Sequence, residues 1–209
     1  MQYYCTKERW ASPVGSDDAT VKLFRPALAQ TNFEKRGLKL AFDATRDGWS
    51  AEAFHAKLDF QGPAVVFCRT TDGSTFGGYN PKGWVNYGEY RGSLAAFLYC
   101  WPDGADPEAD LPTKLAKVGG AILAQMDDGS GPKFGADSLV VPLGAGGVKN
   151  PRVVRVKLGS YYERLPGGRN SFLTNGAREA ELAELKVYTG VYAPGEYVPF
   201  TDAEPFALS

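Results

Sequence analysis

The sequence predicts an α+β fold that is mostly β: a two-sheet antiparallel β-sandwich with a few peripheral helices. Short apolar segments of strand length recur along the chain, and several alternate between apolar and polar residues as half-buried strands do. The 25 glycines and 14 prolines indicate many turns between these segments. Helical periodicity is confined to a few short stretches, so strands dominate the predicted fold.

The N-terminal part of the chain differs from the rest in its patterning. Residues 1–37 show no sustained hydrophobic period, and we expect an extension that packs loosely or wraps around a domain formed by residues 38–209. A chain of 209 residues suits one domain with such an extension. Residues 20–30 favour a short helix at most, because Pro26 removes a helical hydrogen bond.

Within the domain, eight segments have the pattern of strands. We predict strands at residues 38–42, 64–69, 75–79, 93–101, 121–126, 138–143, 152–158 and 184–192. The segment 93–101 is apolar almost throughout, which predicts burial on both faces of its strand. An Asp-Gly turn at 72–73 predicts a hairpin. Ser50 stands where a helix N-cap is expected, and Phe54 and Leu58 follow it on one helical face.

Charge, hydropathy and cysteine content exclude several functional classes. The chain carries 23 basic and 24 acidic residues, so no basic surplus exists to neutralise nucleic-acid phosphates. The longest apolar stretch, residues 94–101, is far shorter than the roughly 20 residues that span a bilayer, and we expect a soluble protein without direct membrane insertion. Cys5, Cys68 and Cys100 lack the spacing of zinc ligands. Cys68 and Cys100 lie in apolar runs, which predicts buried thiols and a reducing, intracellular compartment.

Candidate catalytic groups are few, and we expect no enzymatic activity, cofactor or metal ion. His55 is the only histidine, and we predict a half-exposed side chain with a structural or solvated role. Asp127 and Asp128 precede a glycine, which is typical of a turn rather than of paired catalytic carboxylates. The Gly-Gly pair at 77–78 predicts a bulge or a close backbone approach within a strand rather than a phosphate-binding loop.

A loop rich in aromatic residues is the strongest surface signal in the sequence. Residues 79–91 combine tyrosines, a tryptophan and two basic residues with glycine and proline, and aromatic and arginine side chains dominate the energetics of protein interfaces. A second candidate lies near residue 162. The candidate partner-binding residues are Tyr79, Lys82, Trp84, Tyr87, Tyr90, Arg91, Tyr162 and Arg164. The alternative is that Trp84 and some of the tyrosines complete the core.

Six short motifs occur in an order and spacing that resembles the TLDc domain, which is found in oxidation-resistance proteins and nuclear-receptor coactivators. The motifs are Asp-Gly-Trp-Ser at 47–50, Gly-Pro at 62–63, Asp-Gly at 72–73, Phe-Gly-Gly-Tyr at 76–79, Phe-Gly-Ala-Asp-Ser-Leu at 134–139, and the strand at 184–190. Segments 80–84, 159–166 and 205–208 resemble plant and green-algal members. The glycine-rich run at 128–132 is shorter than in the family, and residues 169–175 replace a cysteine-containing segment, so binding surfaces on those loops in animal relatives are not transferred.

The resemblance implies a non-catalytic protein-interaction module, linked to oxidative-stress protection and to binding and regulating a large complex. The implied partner is the vacuolar proton ATPase, through its stalk, or another membrane-associated complex, with the cytoplasm as the expected location. One alternative is an assembly or repair factor of a chloroplast membrane-protein complex, located in the stroma after removal of a transit peptide. The sequence is also compatible with a carbohydrate-binding β-sandwich, and with a thiol or carboxylate enzyme.

Overall fold

The computed structural model describes residues 9–201, in which short strands outnumber short helices. The strands are β1 (Leu38–Asp43), β2 (Ala64–Thr70), β3 (Thr75–Asn80), β4 (Glu89–Arg91), β5 (Phe97–Trp101), β6 (Thr113–Ala116), β7 (Gln125–Asp127), β8 (Lys133–Phe134), β9 (Leu139–Val140), β10 (Val153–Val156) and β11 (Glu179–Gly190). The α-helices are α1 (Ala19–Phe24), α2 (Ala44–Asp47) and α3 (Ala51–Leu58). Single turns of 3-10 helix occur at Arg25–Leu28, Ala145–Gly147, Pro166–Gly168 and Thr174–Gly176.

The long strand β11 joins the two halves of the sheet. The strand order is β4-β7-β8-β9-β10-β11-β2-β3-β5-β6, with β1 also paired to β11, and every pair is antiparallel. Residues 179–181 of β11 pair with β10, whereas the part from Leu182 onward pairs with β2. The register shifts between Leu182 and Glu184, where the strand passes from one half to the other. The mostly β, antiparallel fold class is therefore confirmed, with one strand shared by the two sheets.

The main core lies between the two halves and under helix α3. Alternate residues of β2, β3 and β5 face residues of β8, β9 and β10, as the two-residue period of a strand requires. Members of this core include Phe54, Leu58, Val66, Cys68, Phe76, Leu98, Cys100, Phe134, Leu139, Val154 and Val156. Each of the larger side chains contributes about 1.5–3 kcal/mol by leaving water, so this layer supplies much of the stabilisation.

A second core covers the opposite face of β2, β3 and β5. The side chains that point away from the main core pack against α1 and the turns that follow it. This layer consists of Val21, Phe24, Ala27, Leu28, Phe33, Leu38, Val65, Phe67, Tyr79, Phe97, Tyr99, Trp101 and Tyr188. Because residues 21–33 cover this face, all five residues of β5 are buried, as the apolar run at 93–101 predicts.

A fully buried ion pair fixes the N-terminal layer. The Arg25 guanidinium donates from Nε to Asp17 Oδ2 at 2.8 Å and from Nη2 to Asp17 Oδ1. Its Nη1 donates to the Phe33 carbonyl oxygen at 2.5 Å. Neither charged side chain is exposed. Arg25 therefore joins three parts of residues 9–37, which pack as a layer of the protein.

The helix predictions are confirmed at their ends. Helix α1 stops at Phe24, and Pro26 lies in the 3-10 turn that follows, where a missing N–H is tolerated. Ser50 caps α3, because its Oγ accepts a hydrogen bond from the Ala53 N–H at 3.1 Å. Phe54 and Leu58 are both buried on the inner face of this helix. Among residues 9–201, no helix is long and apolar enough to cross a membrane.

Several strand predictions are wrong in extent. The segment 93–101 becomes a strand only at Phe97, and 121–126 contributes only its last two residues to β7. Leu123 adopts a positive φ of 57°, which breaks the extended chain before β7. The segment 138–143 supplies a two-residue strand, and β11 begins five residues before the predicted start at 184 and ends at 190. Strands β4, β6 and β8 have no counterpart in the sequence prediction, because short pairings depend on neighbouring strands more than on local pattern.

The paired glycines of β3 mark a close backbone approach, which is the second of the two predicted alternatives; the β2–β3 register passes through them without a bulge. A Cβ atom on Gly77 would lie 1.9 Å from the Val66 carbonyl oxygen and 2.4 Å from the Tyr99 hydroxyl. The Tyr99 hydroxyl lies over Gly77 and donates a hydrogen bond to the same Val66 oxygen at 2.7 Å. A Cβ atom on Gly78 would lie 2.6 Å from the Phe134 ring. Side chains from other strands therefore occupy the space that a residue with a Cβ would need.

Candidate protein-interaction surface

Buried polar side chains hold the loop between β3 and β4 in one conformation. The Asn80 side chain accepts hydrogen bonds from the Lys82 N–H at 3.0 Å and the Gly83 N–H at 2.9 Å, and it donates to the Gly83 carbonyl oxygen at 3.0 Å. Gln125 Nε2 donates to the same oxygen at 2.8 Å. Asn80 and Gln125 are buried, so these bonds are shielded from competing water.

Asp127 and Arg91 fix the second half of this loop. The Asp127 carboxylate accepts the backbone N–H groups of Val85 at 2.9 Å and Asn86 at 3.0 Å. Arg91 Nη1 lies 3.8 Å from this carboxylate and donates to the carbonyl oxygens of residues 82 and 83. Burial raises the pKa of Asp127 above its ordinary value, although the two N–H groups and Arg91 act in the opposite direction. Arg91 is therefore buried and bonded to the loop backbone.

The aromatic residues at 79 and 84 belong to the core. The Trp84 ring packs edge-on against Phe54 in the main core, with ring centroids 5.0 Å apart. Tyr79 lies in the second core, between Phe33 and Phe97. Both side chains are almost completely buried. The alternative that these residues complete the core is thus what the structure shows.

Five exposed apolar side chains lie on edge strand β4 or on segments around it. Phe60, Tyr87, Tyr90, Leu94 and Ile122, here called the apolar edge, are between 39% and 73% exposed. They are five of the eight large hydrophobic side chains exposed among residues 9–201, so exposed apolar surface is concentrated here. Exposed apolar side chains that form a contiguous patch of several hundred Å² mark interaction sites, so the apolar edge is the first surface to test for binding.

Contacts within the apolar edge place its members. The rings of Phe60 and Tyr87 have centroids 6.1 Å apart. Tyr90 lies opposite Met126 in the β4–β7 pair. Leu94 and Ile122 lie on adjoining segments, which are linked by a hydrogen bond from the Ser93 N–H to the Ala121 carbonyl oxygen. The apolar edge therefore extends along β4 and past both of its ends.

The remaining candidates lie in two other places. Lys82 is partly exposed, and its Nζ lies 5.6 Å from the centroid of the Phe200 ring. Tyr162 is buried, and its hydroxyl donates to the Ala124 carbonyl oxygen at 2.5 Å. Arg164 is exposed and lines a groove of about 1150 Å³ beside β6. Trp10, Leu111, Leu115, Val118 and Leu165 also line this groove.

The predicted partner-binding residues fall into two groups, exposed and buried. Lys82, Tyr87, Tyr90 and Arg164 reach the surface, and their role in binding stays a prediction. Tyr79, Trp84, Arg91 and Tyr162 do not form surface, because their side chains fill the two cores or bond to buried backbone groups. Sequence reasoning missed Phe60, Leu94 and Ile122. The exposure of Phe60 could have been predicted, because this residue comes two positions after Leu58 and so lies off the helical face that Phe54 and Leu58 share. Leu94 and Ile122 could not, because both lie in segments that were predicted to be strands.

His55 is buried, so the predicted half-exposed side chain is wrong. Its residue surface is 8% exposed. Nδ1 lies 2.7 Å from Asp59 Oδ1, and Nε2 lies 2.7 Å from the Ser130 carbonyl oxygen. The Asp59 contact lies at the C-terminal end of α3, and the Ser130 contact joins this helix to the turn after β7.

The cysteines match their prediction, whereas the predicted acidic turn is confirmed only at Asp128, because Asp127 is the buried last residue of β7. Cys68 and Cys100 are free and buried, and burial raises the pKa of the Cys100 thiol to about 12 and also raises that of Cys68. Cys5 lies outside the described residues. Asp128 accepts the Ser130 N–H at 3.0 Å, as an aspartate in a turn does. Within residues 9–201, no group of three or more histidine, cysteine or acidic side chains could hold a metal ion.

Comparison with known proteins identifies the family. The sequence model of the TLDc domain matches residues 16–141. The match begins within the predicted extension and includes α1 and every strand from β1 to β9, which is more than half of the chain. A search of curated proteins found no match. The protein belongs to the TLDc domain family.

Proposed function

We propose that the protein is a non-catalytic protein-interaction module and that its partner binds the apolar edge. The observation that supports this proposal is the exposure of Phe60, Tyr87, Tyr90, Leu94 and Ile122 on β4 and on the segments around it. Tyrosine and phenylalanine are enriched at protein interfaces because they bury a large area at a small cost in side-chain entropy.

The backbone behind this surface supports the proposal further. Asp127 fixes residues 85 and 86 immediately before Tyr87, and Arg91 in β4 bonds back to the same loop. The Phe60 N–H donates to the Trp84 carbonyl oxygen at 2.9 Å, which joins the end of α3 to this loop. A surface that is already ordered loses little entropy on binding, so more of its contact energy appears as affinity.

The proposed partner comes from family membership. Because relatives with TLDc domains bind the vacuolar proton ATPase and are linked to oxidative-stress protection, we take the stalk of this ATPase as the first partner to test. A chloroplast membrane-protein complex is the alternative partner, with the cytoplasm or the stroma as the corresponding location. Family membership alone supports this choice of partner, whereas the apolar edge supports binding itself.

The test is an affinity measurement with purified vacuolar ATPase and two matched variants. Tyr87→Ala combined with Tyr90→Ala removes two rings of the apolar edge, whereas Tyr197→Ala removes a tyrosine that is 69% exposed but lies on the C-terminal segment. The rings at 87 and 90 are about half exposed, so each contributes roughly 1 kcal/mol on burial. Because removing both rings also loosens the packing of adjacent side chains against the partner, the double variant should bind about tenfold to one-hundredfold more weakly.

The outcomes separate the surface from the partner. Weaker binding by the double variant and unchanged binding by Tyr197→Ala support both parts of the proposal. Equal binding by all three proteins contradicts the apolar edge as the binding surface. If the ATPase does not bind, affinity capture from plant or algal extract with the same three proteins tests the alternative partner. If only the double variant fails to capture a complex from the extract, the apolar edge is supported as the binding surface and that complex replaces the ATPase as the partner.

A further inference from the structure

We propose that His55 is a pH-sensitive latch, whose doubly protonated ring ties helix α3 to the β7–β8 turn, residues 128–132, and releases that turn when one proton is lost. The latch is a property of the fold and does not depend on the proposed partner. It connects the C-terminal part of α3 to a turn that is 75 residues further along the chain.

The two contacts of the ring require two protons. Asp59 Oδ1 and the Ser130 carbonyl oxygen are hydrogen-bond acceptors, and each lies 2.7 Å from one ring nitrogen. A neutral imidazole donates from only one nitrogen, so its other nitrogen would direct a lone pair at an acceptor oxygen. Only the imidazolium donates to both partners. The two distances are therefore satisfied together only by the charged ring.

The groups that face His55 favour the charged ring. Asp59 follows the last residue of α3, one helical turn after His55, and Asp127 approaches from β7. In the turn, Asp128 is paired with Lys133 at 2.7 Å, so its charge is partly neutralised. Burial lowers the pKa of His55, but Asp59, the Ser130 carbonyl and Asp127 act in the opposite direction. The net pKa lies above the ordinary value.

Loss of one proton from His55 should break the contact with Ser130 in the turn rather than the contact with Asp59. A hydrogen bond to a carboxylate is stronger than one to a neutral carbonyl, so the remaining proton stays on Nδ1 beside Asp59. The lone pair of Nε2 then faces the Ser130 oxygen, and the turn moves away. The latch stabilises the fold below about pH 6.5, the pKa of an unfolded histidine, and this contribution is lost as the pH rises through the raised pKa of the folded protein.

Nuclear magnetic resonance of the imidazole nitrogens tests the latch directly. His55 is the only histidine of the sequence, so its signals are unambiguous in protein without a histidine tag. We expect both nitrogens to be protonated at about pH 6.5 and to titrate with a midpoint above that value. Across the same midpoint, amide-exchange protection of residues 128–131 should fall about tenfold. A neutral ring at about pH 6.5, or a titration without a change in the turn, would overturn the proposal.

Two variants of acidic residues, one just after α3 and one near its start, provide the test and its control. Asp59→Asn keeps an acceptor but removes the charge, and the His55 midpoint should fall by about one unit. Glu52→Gln removes an exposed charge near the start of α3, three residues before His55, and should leave the midpoint in place. Equal effects of the two changes would contradict the latch. If Asp59→Asn does not fold, the wild-type titration and exchange data decide the question.

Discussion

Replacing Asp17 with alanine removes the only carboxylate that pairs with Arg25 among residues 9–201. The Arg25 side chain has no exposed surface, and its remaining contact is with the Phe33 carbonyl oxygen. Water cannot take the place of the missing carboxylate unless the N-terminal layer opens. The variant therefore contains a buried, unpaired charge in the layer that covers β2, β3 and β5.

The expected loss is large for a single substitution. Removing one partner of a buried ion pair costs about 3–5 kcal/mol, against a total unfolding free energy of about 5–15 kcal/mol. For a protein of this size, each kcal/mol lowers Tm by about 2–4 °C, so the expected fall is roughly 6–20 °C. With a urea m value of about 2 kcal/mol/M, the unfolding midpoint should fall by roughly 1.5–2.5 M.

Urea unfolding measured by tryptophan fluorescence tests this expectation with a neighbouring control. Asp18 is exposed and caps α1, accepting the Val21 N–H at 2.8 Å, so Asp18→Ala should cost about 1 kcal/mol. Adding Arg25→Met to Asp17→Ala removes the unpaired charge and should restore much of the lost stability. The reasoning is refuted if Asp17→Ala costs no more than Asp18→Ala, or if the double variant is no more stable than Asp17→Ala.

Two further predictions concern the sheet and the thiols. Gly77→Ala should prevent folding to a stable protein, because its Cβ would lie 1.9 Å from the Val66 carbonyl oxygen; Gly15→Ala, with no atom within 4 Å of the new Cβ, should express and melt like wild type. Soluble Gly77→Ala with a wild-type melting curve would contradict the close approach. Cys68 and Cys100 should resist a maleimide reagent in the folded protein and react in urea, because burial raises the pKa of each thiol. If peptide mass spectrometry shows that either cysteine is labelled rapidly in the folded protein, that thiol is not buried in the core, and the thiol-enzyme alternative has to be tested.

Local sequence signals anticipated the elements that depend on neighbours along the chain. Ser50 caps α3, Pro26 follows the end of α1, and the Asp-Gly turn at 72–73 joins β2 to β3. The apolar run that ends in β5 correctly indicated burial on both faces. These features follow from backbone geometry and hydrophobic periodicity, which act over a few residues.

The same signals could not locate the surface. Tyr79, Trp84 and Tyr162 resemble Tyr87 and Tyr90 in residue type, yet only the last two are exposed. The difference arises because Phe33, Phe54 and the backbone near Ala124 come from distant parts of the chain to cover the first three. Exposure is therefore a property of the packed structure.

The sequence by itself determined the family, the antiparallel β-rich fold class and the burial of Cys68 and Cys100, because each depends on motif order or local pattern. Only the tertiary structure decided the sharing of β11 between the two sheets, the burial of Asp17 with Arg25, and the two partners of His55. The contact of His55 with Ser130 joins residues that are 75 positions apart. Such contacts form when the chain folds, and they are specified jointly by all the segments that pack around them.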